Sequence, residues 1–198
     1  MRFIYNKFPN DETFQPDETW TPLKEPTDLI EVQIKAIPFF IINFLVVQLL
    51  FWIMGLHFNF EMSLLLVAFL IVTPIHELLH ALFFPENLLS KNIYFGAILK
   101  AGAFFAFYTG EMKRNTLIKV FLAPLAIISI AGVAYLLAFG HNSLVEHIVL
   151  FNAFGASVDC LGTYLVLRQV PRRAYVRNKE IKSYWIVKEE NSCTEEKA

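Results

Sequence analysis

MSLLLVAFLIVTPIHELLHALFF, residues 62–84, decides the fold. At 1.5 Å per helical residue it is long enough to cross a hydrocarbon core of about 30 Å. Within it Glu77 is the only acidic residue, Lys and Arg are absent, and His76 and His80 are the only other groups that ionise. Ionisable groups inside a membrane span are expensive, at about 2.5–3.5 kcal/mol for Asp, Lys or Arg on insertion scales. Three of them clustered in one run need a chemical reason. The plainer alternative is a polar packing cluster facing other helices.

The rest of the chain fits the same reading. Apolar residues make up 56% of the 198 residues, and Phe alone occurs 20 times. The usual apolar share of a soluble domain is about 45–50% even with Gly counted. Three further segments read as spans: Ile37 to Leu56, about Leu117 to Phe139, and about Leu144 to Leu167. The expected fold class is therefore an all-α integral membrane protein with four transmembrane helices. Three parts follow: a polar segment 1–36, a membrane domain 37–170 and a polar tail 171–198.

Orientation follows from the loops. His57–Glu61 and Gly140–Ser143 carry no Lys or Arg, whereas Lys91, Lys100, Lys113 and Arg114 lie between spans two and three. Arg168, Arg172, Arg173, Arg177, Lys179 and Lys182 follow span four. The positive-inside rule then puts both termini in the cytoplasm of a multi-pass cell-membrane protein. The N-terminal segment holds four of the nine prolines and no apolar core of signal-peptide length. Residues 92–109, interrupted by Gly96, Lys100 and Gly102, read as a membrane-associated hairpin between spans two and three. A fifth span there would place Lys113 and Arg114 outside. In the tail, Tyr184–Val187 is a short strand-like patch.

The net charge of −1 gives no basic surplus and argues against a nucleic-acid partner. Cys160 and Cys193 lie in unrelated settings, so no disulfide framework is expected.

The chemistry centres on His76-Glu77-Leu78-Leu79-His80. Residues i and i+4 share a helix face, with Cβ atoms about 5–6 Å apart. Two imidazole nitrogens at that spacing reach one Zn²⁺ at about 2.0–2.1 Å each. The Glu beside the first His is then placed to take a proton from an attacking water. A third ligand is needed, and Asp159 is the candidate, the only charged residue between Glu146 and Arg168. A helix–helix hydrogen bond is the alternative role for it. His76 lies 14 residues past Met62 and Asp159 lies 15 past Leu144. Both are then roughly 21–23 Å deep. Small residues Gly155, Ala156 and Gly162 permit close helix approach. Asn152, one heptad before Asp159, is a candidate to bind substrate backbone or to orient the Asp, or else a packing amide. Cys160 points away from the Asp159 face. Glu146, His141, His147 and His57 read as interfacial. Pro74 removes a backbone donor and is expected to kink span two.

The run His76 to Phe84, the Gly-rich hairpin and the late intramembrane Asp resemble the DUF3267 family of zincin-type peptidases, bacterial membrane proteins. The resemblance covers about residues 65–170. More distantly the pattern is similar to the site-2 protease group, where HExxH lies on one helix and an Asp on a later helix is the third ligand. It implies His76 and His80 as ligands, Glu77 as base and Asp159 as third ligand. It also implies that hairpin 92–109 receives substrate as an added strand. Two departures stand out: no proline lies between Asn152 and Asp159, and Cys160 follows Asp159 where that group has Gly.

The expected activity is zinc-dependent endoproteolysis of a membrane protein or peptide. The alternatives are a non-catalytic zinc protein whose metal staples helices, and a scaffold that binds no metal. A transporter is disfavoured by the lack of internal repeats.

Overall fold

A computed structural model describes residues 2–99 and 102–188. Their elements run, in chain order, β1 Arg2–Tyr5, β2 Thr21–Pro22, α1 Leu29–Ile53, α2 Met62–Leu82, β3 Ile93–Ile98, β4 Ala103–Tyr108, β5 Glu111–Lys113, α3 Arg114–Phe139, α4 Ser143–Gly155, α5 Ser157–Gln169, β6 Tyr175–Lys179 and β7 Lys182–Ile186. Four helical stretches are long and apolar enough to cross a membrane: α1, α2, α3, and α4 with α5. Their ends follow capping chemistry. Asp28 caps α1 by accepting from Glu31 N at 2.9 Å, and Asn142 caps α4 by accepting from Val145 N at 3.1 Å.

Two features depart from the sequence expectation. The fold is mostly helical rather than all-α, because two small sheets flank the helices in the orders β1-β3-β4 and β2-β7-β6-β5. The polar ends are thus built into the structure: β2 pairs with β7, and β1 lies parallel to β3 with Arg2 opposite Tyr94. Second, the fourth span is interrupted at Ala156, which separates α4 from α5. Gly155, Ser157 and Asp159 stand at the break, but a span-length hydropathy window averages over them. Residues 92–109 form a β-hairpin rather than a fifth span, with Ile93 opposite Tyr108 and Ile98 opposite Ala103.

Helix α2 packs on α3 and α4, α1 on α4 and α5, and β4 on α2. Gly132 of α3 sits where an added Cβ would come within 2.3 Å of Val149 Cγ2 on α4, so this crossing requires the missing side chain. Two apolar cores result. One joins Ala81, Phe84, Leu117, Val120 and Val166 to the sheets. The other joins Val47, Phe51, Leu136, Val149 and Leu150. The outer faces of the helices carry exposed apolar side chains such as Ile30, Trp52, Leu70, Ile130 and Leu137. Such a surface suits lipid rather than water.

Glu25, between β2 and α1, fastens the N-terminal segment to β7 by accepting from the Ser183 N–H and, at 3.2 Å, from Ser183 Oγ. Burial pushes its carboxyl up to about 7 from the usual 4.5, against the Ser183 hydrogen bonds and Lys182, which pull it down. Between those two values the folded chain keeps a proton that the unfolded chain has lost. Stability therefore falls as pH rises from about 5 to 7, by up to roughly 3 kcal/mol. Thermal melting of wild type in detergent should show that decline, and Glu25→Gln should flatten it. Parallel profiles for the two proteins would contradict this.

Candidate metal centre

Helix α2 presents His76 and His80 on one face, and both are 7% exposed. The break at Ala156 leaves Asp159 in the first turn of α5, where the helix dipole favours a carboxylate. The three side chains meet. His76 Nε2 lies 3.1 Å from Asp159 Oδ2, and His80 Nε2 lies 3.4 Å from Asp159 Oδ1. One donor atom from each lies within 4.8 Å of the others, so the group is able to hold a metal ion.

The outer partners of the imidazoles test that fit. His80 Nδ1 lies 2.8 Å from Val120 O, an atom that only accepts. Nδ1 therefore carries the proton, and in the neutral ring Nε2 presents a lone pair. Asn152 Nδ2 donates to Pro124 O at 3.2 Å, Leu125 O at 3.4 Å and Ser129 Oγ at 3.3 Å. That orientation turns Asn152 Oδ1 toward His76 Nδ1 at 3.1 Å, so this Nδ1 is a donor as well. Two lone pairs then face two carboxylate oxygens. Such an arrangement asks for positive charge at its centre, either a cation or extra protons on the rings. Tetrahedral ligands about 2.0–2.1 Å from zinc lie roughly 3.3–3.4 Å apart, close to the two separations observed.

Glu77 stays outside this group. Its Oε2 accepts from Ala106 N at 2.5 Å. Sheet order makes β4 an edge strand, and Ala106 lies opposite Phe95 with its N–H directed away from β3. The hairpin's base is fixed to the end of α2 by Tyr108 Oη, which donates to Glu86 Oε1 at 2.6 Å. Phe84 and Tyr108 stack there with ring centroids 5.3 Å apart.

All four of these side chains line one cavity of about 590 Å³. Its walls include β4, the first half of α1, and Phe69, Phe151 and Phe154. Glu180 and Ile181 of the β6–β7 turn and Ser183 of β7 also line it.

The structure brings His76, His80, Asp159 and Asn152 together and sets Glu77 beside them. Asn152 touches His76 rather than Asp159, so its orienting contact falls on the other partner. Cys160 lies apart, 3.8 Å from Asn43 Nδ2 on α1. Glu146 and His147, near the start of α4, are buried at 1% and 0%. Glu146 holds His141 Nδ1 at 2.7 Å, and His147 Nε2 accepts from Glu61 N at 3.0 Å. His57 is exposed as expected. Cys193 lies outside the described residues. Sequence reasoning missed the acceptor role of Val120 O and the donor role of Ala106 N, since backbone atoms leave little trace in residue type.

Helices long and apolar enough to cross a membrane thus enclose a His₂–Asp group able to hold a metal ion, with a glutamate at its side. The chain belongs to the DUF3267 family, described as "Putative zincin peptidase", whose family model matches residues 69–175. That stretch runs from within α2 to the start of β6 and contains every residue of the site. No curated protein and no solved structure matches the chain.

Proposed function

We propose that this protein is an intramembrane zinc endopeptidase, a multi-pass protein of the cell membrane with both termini cytoplasmic. The observation that carries the reading is the convergence of two lone-pair nitrogens and a carboxylate within 4.8 Å, beside Glu77, in a cavity flanked by a free strand edge.

His76, His80 and Asp159 would hold the ion, with their imidazoles oriented by Asn152 and Val120 O. A zinc ion held there would supply Lewis acidity toward a scissile carbonyl and lower the pKa of a water. Glu77, beside the group, would take a proton from the attacking water and pass it to the leaving amine. The apolar walls keep bulk water out and strengthen these charges. The free edge of β4 offers N–H and C=O groups to an extended substrate, and Ala106, bonded to Glu77, marks the register beside the base. A helical substrate would have to unwind locally to lie there. Membrane proteins or peptides are the substrate class this supports.

A stapling, non-catalytic zinc would be closed by four protein ligands. Among the described residues the group has three, which favours an open position for substrate.

The test is cleavage of a dye-labelled single-span peptide in proteoliposomes. Wild type should cut it, and a zinc chelator should stop the reaction. Cleavage untouched by chelation would rule out the mechanism. Ala106→Pro removes an outward N–H of β4, and with it the donor to Glu77 Oε2. Proline is tolerated on edge strands, so the variant should keep its zinc and lose about tenfold in rate, or more. An unchanged rate would remove β4 as the substrate-binding edge.

A further inference from the structure

We infer that Pro124 is a positioning residue for the metal centre, because it withholds the helical donor of Val120 and so dedicates that carbonyl to His80.

Helix α3 runs unbroken from Arg114 to Phe139 with Pro124 in its interior. In an α-helix the carbonyl of residue i accepts from the N–H of residue i+4. For Val120 that position is Pro124, which has no N–H. Val120 is 3% exposed, so water does not replace the lost donor. A buried carbonyl needs a partner. The partner is His80 Nδ1 at 2.8 Å. The helix thus gives up one internal hydrogen bond, and a side chain of α2 takes it over.

The same turn serves the other imidazole. Asn152, which meets His76 Nδ1 at 3.1 Å, is held by Pro124 O at 3.2 Å and Leu125 O at 3.4 Å. One turn of α3 therefore sets the tautomers of both His76 and His80. The chain's other two helix-interior prolines show no such use. Pro38 and Pro74 free the carbonyls of Ile34 and Leu70, residues whose side chains are 60% and 69% exposed. Imidazoles that donate their second nitrogen to a backbone carbonyl are better-oriented and more basic ligands, and loss of such a partner typically costs about 10–100-fold in metal affinity.

The inference rests on the metal reading given above, and Pro124→Ala tests it. The variant restores an N–H that competes for Val120 O while improving helix continuity. Metal-free, it should melt at the same temperature as wild type or higher. Its zinc affinity, measured by chelator competition, should fall about 10–100-fold. Nitrogen-15 NMR of the histidine-labelled, metal-free protein gives a second readout. Wild-type His80 should show one Nδ1–H tautomer, and the variant a mixture. Unchanged affinity with an unchanged His80 signal overturns the inference. So does a large drop in melting temperature that accompanies the affinity loss with the His80 signal unmoved, since Pro124 would then be structural only. If wild type takes up no zinc, the metal reading falls, and the His80 signal alone decides whether Pro124 orients the ring.

Discussion

Glu77→Gln should leave zinc content and melting temperature at wild-type values and lower the initial cleavage rate in proteoliposomes by about 10²–10⁴-fold, the usual range for removing a positioned general base. The substitution is close to isosteric. The amide keeps an oxygen able to accept from Ala106 N, which Glu77 engages at 2.5 Å, so the contact between α2 and β4 survives. What disappears is a carboxylate that can receive the proton from water. Because Glu77 is not one of the three metal-holding side chains, metal uptake should not change. A Gln variant that cleaves within about twofold of wild type would show that the base is another group, or that the reaction does not need one.

The second large effect concerns Asp159. Asp159→Ala should weaken zinc binding by more than about 100-fold, since even the outer hydrogen-bond partners of a ligand are worth about 10–100-fold. The reason lies in the charge arrangement. Asp159 supplies the only negative charge in the group, and it faces both Nε2 atoms at 3.1 and 3.4 Å. Without it two neutral imidazoles remain, on adjacent turns of one helix. His80→Ala should do the same. Asn152→Ala should do less, because it frees the His76 ring without removing a ligand. Chelator competition on the three purified variants ranks them. Equal zinc affinity in Asp159→Ala and wild type would place the metal elsewhere.

Much of this site was legible before any coordinates, for physical reasons. An unpaired carboxylate or imidazole inside a long apolar run is costly, so Glu77, His76, His80 and Asp159 stand out against their surroundings. Helical pitch then brings two of them to one face and puts Asp159 at a matching depth. Gly96 and Gly102 interrupt the stretch after span two, and that stretch folds as a β-hairpin.

Other parts were silent. The pairing of β1 with β3 joins Arg2 to Tyr94, and strands that short carry no periodicity to read. The tie between Glu25 and Ser183 joins residues 158 apart along the chain. The break at Ala156 is averaged out over a span-length window. Glu146 and His147 sit at a helix start and so read as interfacial, yet packing against α1, α2 and α3 encloses them. Pro124 was visible only as a proline within an apolar span, and its freed carbonyl gains meaning when α2 is packed beside α3.

The central claim is that His76, His80 and Asp159 hold one metal ion. Its most direct test is the zinc content of the full-length protein purified in detergent, measured by elemental analysis before chelation, after chelation and after reconstitution. The account predicts close to one zinc per chain, lost to the chelator and restored on adding zinc, as expected of a single three-ligand site. Zinc absent both as purified and after reconstitution would contradict it and leave a membrane scaffold with a polar seam between its helices.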